Sequence, residues 1–342
     1  MQSIYLLDST LRDGGLGLED AFSHGYSTVS FGLESRASIL NGLCAANLDM
    51  IEVGSIEISK DDKREFAIYQ NIQQISEVLP LNRQTPRLAV LYRGPDTPVE
   101  EIPQCNDSLC QYVRVILRYS ELRKSLAFCS ALASKGYHVC VQPMLTMRYS
   151  KQELAEIITA SNDMGAFALY FVDSYGYMEE DDVRCFVDAY NSGLTPNIKI
   201  GFHAHNNTNR AFSNTVAFIK AAEDRDIIVD SCVMGLGQGA GNLQTELIAD
   251  YLMKKYGKKF EYDAILDVCD VVDEICECKG CGYSVTHLLP AINRAAYKYA
   301  VDMRLKYKMP YKEIHRALKN MSYAMKQRYT EENLEEVLRE VH

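Results

Sequence analysis

Residues 198–235 read IKIGFHAHNNTNRAFSNTVAFIKAAEDRDIIVDSCVMG, and the way this piece divides decides the fold. IKIGFH from Ile198 is an apolar run of strand length, SNTVAFIKAAED spaces its apolar residues as a helix does, and IIVDSCVMG from Ile227 is a second strand. Strand, helix, strand implies parallel neighbours joined by a right-handed crossover. Working outward toward the N-terminus, the same kind of run recurs as ALYFVD from Ala168, YHVCVQ from Tyr137, YVRVIL from Tyr112, RLAVLY from Arg87, DMIEVG from Asp49 and IYLLDS from Ile4. Helical stretches such as SRASILNGLCAAN and KSLAFCSALASKG lie between most of them and close on Asn or Gly. Eight strand–helix units in about 250 residues match a TIM (β/α)8 barrel better than an open doubly wound sheet, so an α/β barrel is the expected fold.

The chain reads differently from Tyr262 onward. DAILDVCDVVDEICE, LLPAINRAAYKYAVDMRLKY, YKEIHRALKNMSYAM and EENLEEVLREV all carry helical periodicity, and Pro310 in KMPYKE marks a break between two of them. The expected division is therefore a barrel over residues 1–260 and a C-terminal helical appendage over 261–342. The tyrosine-rich helices are suited to covering the barrel, forming a homodimer contact or docking a partner enzyme.

Composition narrows the class. With 36 basic and 46 acidic residues the formal charge is -10, which argues against non-specific binding to nucleic acid or an anionic membrane. No apolar run approaches the roughly 20 residues that span a bilayer, and MQSIYLLDST lacks the features of a signal peptide, so a cytoplasmic location is expected. The 11 cysteines are scattered, several inside strand-like runs, and read as reduced core thiols. Cys269, Cys276, Cys278 and Cys281 form a cluster, but without a second CxxC or a histidine pair nearby it supports no functional assignment.

In a TIM barrel the active site lies at the carboxyl ends of the strands. Directly after the first strand comes DSTLRDGG from Asp8 to Gly15, where an acid beside an arginine, followed by two glycines, suits a cation and an anionic substrate held side by side. At the end of the seventh run, GFHAHNN places His203 and His205 two residues apart, hence on one face of a strand, where both imidazoles can bind one metal. After the eighth run, GLGQGAGNLQTE has four alternating glycines whose spacing is neither a P-loop nor GxGxxG. It reads equally as a loop delivering Asn242 to a metal or substrate and as a tight turn capped by Asn242.

Taken in order, DSTLRDGG, GFHAHNN and GLGQGAGNLQTE resemble the DRE-TIM metallolyase superfamily, over residues 3 to about 255. Its members include hydroxymethylglutaryl-CoA lyase, isopropylmalate and homocitrate synthases and 4-hydroxy-2-oxovalerate aldolase, the last being the group this sequence matches best. The resemblance implies Asp13, His203 and His205 as metal ligands with Asn242 as a further one, and Arg12 as the group that stabilises an enolate. Mixed carboxylate and imidazole ligation implies a divalent ion, Mn2+ first, with Mg2+ or Zn2+ as alternatives. Asp173 and Ser174, in FVDSYG, match the family's strand-six position approximately. Glu52, in IEVG, is either a site acid or a structural salt-bridge partner.

The departures are informative too. The aldolases carry an acid–base histidine shortly after RDG, where this chain reads Leu16-Gly17-Leu18, so the candidates for that role are His24, His287 and Tyr283. The lyases carry a cysteine in the glycine loop, whereas this chain has Gln238 and no cysteine between Cys232 and Asn242. The resemblance thus implies carbon–carbon cleavage or formation next to a small 2-keto acid such as pyruvate. The alternatives are a Claisen-type acyl-CoA synthase and a non-catalytic barrel serving as a scaffold. Leu16 to Phe31 is expected to be a long first loop that shapes the pocket.

Overall fold

A computed structural model describes residues 2–23, 31–58, 61–77, 86–276 and 282–341. Each run read as a strand is one: β1 Ile4–Asp8, β2 Met50–Ile56, β3 Arg87–Tyr92, β4 Tyr112–Leu117, β5 His138–Pro143, β6 Ala168–Asp173, β7 Lys199–Ala204 and β8 Ile227–Ser231. Every neighbouring pair is parallel, and β1 pairs with both β8 and β2, which closes the sheet into a TIM barrel. A two-residue strand, Ile68–Tyr69, lies against the end of β2 and was not expected.

The alternation of side chains sorts each strand into two faces. Outward residues such as Leu6, Ile51, Val113 and Ile200 pack beneath the surrounding helices in one large apolar core. Inward residues Leu7, Met50, Ala89, Cys140, Ala168 and Ile228 form a separate core inside the barrel. The next inward layer is polar: Glu52, Arg114, Tyr170 and Asp230 are all buried there. Gly201 belongs to that layer, and a Cβ on it would lie 2.4 Å from the Tyr170 ring, so glycine makes room for the tyrosine.

Helices α1 Gly15–Ser23, α2 Leu33–Ala45, α3 Leu122–Ser134, α4 Lys151–Asp163, α5 Glu180–Gly193, α6 Ala211–Ala221, α7 Thr245–Tyr256 and α8 Tyr262–Cys276 lie within the stretch that forms the barrel and its outer wall. The segment expected as a long first loop is thus helical at its start: Leu16, Leu18 and Ala21 are buried, and the intervening glycines had hidden the helix. Although α8 follows residue 260, its Ile265, Val268 and Val272 join the barrel's outer core.

A second core begins at Leu289 and is built from α9 Val285–Ile292, α10 Tyr297–Leu305, α11 Tyr311–Asn320, α12 Tyr323–Gln327 and α13 Glu331–Val341. Two stretches read as single helices are each divided. Arg294 takes a positive φ of 53° and separates α9 from α10, while Ser322 accepts a hydrogen bond from Met325 N and starts α12 anew. Among the described residues no helix is long and apolar enough to cross a membrane.

Candidate active site at the carboxyl ends of the strands

The loops after β1 and β8 are clamped together by Asp8. Its two carboxylate oxygens accept from Thr10 N at 2.9 Å and Thr245 Oγ1 at 2.6 Å, and Thr10 Oγ1 accepts from Val233 N at 2.7 Å. Between these anchors Thr10–Gly14 makes a wide π-type turn whose residues are all buried, a local geometry enriched at functional sites. That turn sets Arg12 and Asp13 over the barrel mouth.

The inward face of β7 supplies His203, and His205 follows just past the strand end, bridged antiparallel to Asn242. One donor atom from each of Asp13, His203 and His205 lies within 4.8 Å of the others. His203 Nε2 is 3.2 Å from His205 Nε2 and 3.5 Å from Asp13 Oδ2. On its other side His203 Nδ1 is 2.9 Å from Asp230 Oδ2. A proton on Nδ1, given to that carboxylate, leaves the Nε2 lone pair directed toward Asp13 and His205.

Electrostatics prepares Asp13 and His205. Burial alone would raise the Asp13 carboxyl, but Arg12 and the two imidazoles outweigh it and hold the group well below the usual carboxylate range. Burial, then the neighbouring His203, push His205 down to about 4, so its imidazole is neutral near pH 7. An ionised carboxylate beside neutral imidazole nitrogen is a donor set for a divalent first-row ion.

Asn242 completes the wall. It is buried, its Nδ2 donates to Asp13 and to Cys232 Sγ, and its Oδ1 has no hydrogen-bond partner. Turned over, the same amide would present its oxygen to Asp13, and a buried carbonyl oxygen in that position fits a site that a cation satisfies. The glycine loop packs tightly here: a Cβ on Gly237 would stand 2.3 Å from Asn242 Nδ2 and 3.0 Å from Asp13 Oδ2.

Beneath these groups runs a closed circuit of buried charge. Arg12 Nη1 donates to Asp13 Oδ1 at 2.6 Å and its Nε to Glu52 Oε2 at 2.7 Å. Arg114 Nη1 reaches the same Glu52 oxygen at 2.6 Å and its Nη2 pairs with Asp230, which returns the path to His203. With its amide turned to suit, Gln142 accepts from Arg114 Nε and Nη2 at 3.0 Å. Among the described residues two of the guanidinium donors of Arg12 go to protein acceptors, and its side chain lines a cavity of about 330 Å³ together with Asp13, His203, His205, Ser174, Gln238 and Tyr297.

The HMGL-like family model matches residues 3–273. The chain belongs to the HMGL-like family. It is 30% identical to the 4-hydroxy-2-oxovalerate aldolase of Geobacillus genomosp. 3, over 74% of this chain and 71% of that protein. It is also 30% identical to the 4-hydroxy-2-oxovalerate aldolase of Carboxydothermus hydrogenoformans, over 89% of this chain and 90% of that one. Among solved structures, the HMG-CoA lyase of Bacillus subtilis superposes with a TM-score of 0.63 at 16% identity, covering 80% of this chain and 94% of the lyase. The carboxyl transferase domain of Rhizobium etli pyruvate carboxylase, with oxamate and biotin, gives 0.68 at 14%, covering 93% and 56%. Those structural likenesses concern the fold.

In this HMGL-like chain the three motifs do meet at one place: Arg12, Asp13, His203 and His205 share the cavity, with Asn242 in contact with Asp13. Ser174 lines it as well, its Oγ accepting from Leu145 N at 2.8 Å. Glu52 sits deeper, engaged by two arginines. Asp173 faces its own loop, its oxygens accepting from Tyr177 N at 2.9 Å and Met178 N at 3.1 Å, and burial raises it to about 7. Tyr283 is 53% exposed and lies outside the cavity wall. His287 is buried with Nδ1 3.0 Å from Gly282 O, and its ring centroid lies 6.3 Å from that of Tyr297. His24, Cys278 and Cys281 lie outside the described residues, as does the side chain of Cys276; Cys269 is a half-buried free thiol in α8.

Four groups of the HMGL-like chain escaped sequence reading. Arg114 carried a signal, a charge in the middle of the apolar run YVRVIL, and Asp230 a weaker one in IIVDSC. Tyr297 and Asp20 carried none. Tyr297 comes from α10 across the mouth and hydrogen-bonds Asp20 of α1; burial, then that carboxylate, hold the phenol well above its ordinary value and therefore protonated.

Proposed function

We propose that this chain is a divalent-metal-dependent aldolase that breaks or forms the carbon–carbon bond next to a 2-keto acid, with pyruvate as the enolate component. The observation that carries the reading is the meeting of Asp13, His203 and His205 beside Arg12 in one cavity at the barrel mouth. Kinship with proteins named 4-hydroxy-2-oxovalerate aldolase, along most of their length, supports it over an acyl-CoA synthase or a silent scaffold.

Asp13, His203 and His205 would hold the ion, and Asn242 Oδ1 would join them with its amide turned over. Mn2+ suits this mixed donor set, with Mg2+ or Zn2+ as alternatives. When bound, the ion supplies a Lewis acid for the 2-keto oxygen. Arg12, fixed by Glu52 and Asp13, offsets the negative charge that develops as the keto acid becomes an enolate, and being fixed it needs no reorganisation at that moment.

In cleavage the bond between C3 and C4 of a 4-hydroxy-2-keto acid breaks, its electron pair passes to the enolate, and the C4 hydroxyl becomes an aldehyde as its proton leaves. Tyr297, which lines the cavity and hydrogen-bonds Asp20, would take that proton while handing its own to Asp20, and the same relay run backward would protonate the alkoxide in synthesis. This assigns to Tyr297 and Asp20 the acid–base role for which the sequence had offered His24, His287 and Tyr283.

The test is cleavage of 4-hydroxy-2-oxopentanoate by metal-stripped protein, with pyruvate followed through lactate dehydrogenase. Activity restored by Mn2+ and lost in His203→Ala is the expected result. Folded protein that binds Mn2+ yet releases no pyruvate would contradict the substrate assignment.

A further inference from the structure

Outside the inner cavity the barrel mouth opens into a second cavity of about 810 Å³, which shares Arg93, Ile116, Met144, Leu145, Gln327 and Arg328 with the first. The inner cavity of about 330 Å³ is at the small end for a ligand site and is enough for a keto acid with a two-carbon aldehyde. The outer space is surplus to that pair. Four arginines line it, namely Arg93, Arg118, Arg148 and Arg328.

Their partners separate them into two kinds. Arg93 pairs with Glu57, and Arg118 is held by Asp96 and by Glu121 at 3.1 Å, so these charges are largely met within the protein. Arg148 and Arg328 form no ion pair among the described residues. The acid whose field Arg148 does feel, Glu153, is committed to Ser150 N and Oγ at 2.7 Å each.

Both unpaired arginines are nevertheless positioned. The Arg148 guanidinium lies 4.1 Å from the centre of the Tyr119 ring. Arg328 stands on the short link between α12 and α13, whose backbone is pinned from two sides: Tyr299 Oη donates to Arg328 O at 2.8 Å, and Tyr175 Oη to Gln327 O at 3.1 Å. In a chain of net charge -10, one guanidinium held on an aromatic ring and a second, unpaired one carried on a pinned backbone, both around one cavity, form a local anion receptor.

We propose that the carbonyl partner of the keto acid is an aldehyde whose far end carries an anion, a phosphate or a carboxylate, received in the outer cavity by Arg148 and Arg328. The proposal rests on the aldolase reading and names its substrate class. In the synthetic direction C3 of the pyruvate enolate bonds to the aldehyde carbon, the former carbonyl oxygen takes up a proton, and the distal anion stays chemically unchanged. No oxidant or reductant is needed.

The experiment measures kcat/KM for Mn2+-loaded full-length protein condensing pyruvate with propanal, with succinic semialdehyde and with glyceraldehyde 3-phosphate. The expected result is a preference for an anionic aldehyde over propanal of about tenfold or more, expressed mainly in KM and reduced by salt. Whichever of the two anionic aldehydes leads identifies the carboxylate or the phosphate as the recognised group. The preference should collapse in Arg148→Gln and in Arg328→Gln; the second exchanges an exposed side chain with no hydrogen bond among the described residues, so it tests the receptor even if the first folds poorly. Equal kcat/KM for propanal and both anionic aldehydes, or a preference that survives both substitutions, would overturn the proposal. Absence of metal-dependent deuterium exchange into pyruvate would instead overturn the aldolase reading beneath it.

Discussion

His203 Nδ1 lies 2.9 Å from Asp230 Oδ2, so the ring that offers Nε2 to the candidate metal centre is oriented from inside the barrel. Carboxylates in this relation to a ligating imidazole fix its tautomer and strengthen it as a ligand. Asp230→Asn should therefore weaken Mn2+ binding by about 10- to 100-fold while Asp13, His203 and His205 all remain. Titration of metal-stripped protein with Mn2+ checks this, and unchanged affinity would show that Asp230 does not support the site.

The same carboxylate belongs to a buried circuit in which Arg114 separates Asp230 from Glu52. Replacing Arg114 with Met removes the cation and leaves two acids facing each other in the barrel interior, so the cost in unfolding free energy should be about 3–5 kcal/mol. Adding Glu52→Gln should recover part of it. Urea unfolding measures both, and a loss below about 1 kcal/mol for the single variant would mean that the circuit contributes little net stability.

Tyr297→Phe removes the phenol that links the cavity to Asp20 and keeps the ring. The expected effect on aldol cleavage is a fall in kcat of about 10²- to 10⁴-fold with a small change in KM. A variant retaining most of its kcat would return the acid–base role to another group.

Asp173 gives a prediction about pH. Burial raises its folded-state pKa to about 7 from an ordinary 3.8. Between these values the folded protein holds a proton that the unfolded chain has released, so this group's stabilising contribution is full below pH 4 and is lost as pH rises toward and through 7. Asp173→Asn abolishes the titration. Its stability relative to wild type should therefore rise by roughly 2–4 kcal/mol between pH 5 and pH 8. A constant difference across that range would show that Asp173 titrates as an ordinary carboxylate.

Much of the barrel was legible because parallel strands buried on both faces leave an unmistakable rhythm: each of the eight runs from IYLLDS to IIVDSCVMG holds a strand, three with the same bounds, four within two residues at each end, and the last running four residues past Ser231. The meeting of Asp13, His203 and His205 was legible because HxH at a strand end and RDG after the first strand are local patterns. What was hidden depends on contacts between distant segments. Asp20 and Tyr297 are 277 positions apart, and nothing in either neighbourhood signals that α10 crosses the mouth to meet α1. The α9–α10 break was missed because it rests on the backbone of Arg294, a residue type that does not advertise a positive φ.

Whether Asp13, His203 and His205 hold a metal which with Arg12 generates a pyruvate enolate is read from proton NMR of pyruvate in D2O. Metal-stripped protein is compared with protein given trace Mn2+, and methyl deuteration is quantified after the metal has been removed. The expected result is exchange that requires the ion and disappears in Arg12→Ala and His203→Ala. Exchange that is independent of metal, or no exchange in folded protein carrying Mn2+, would contradict it.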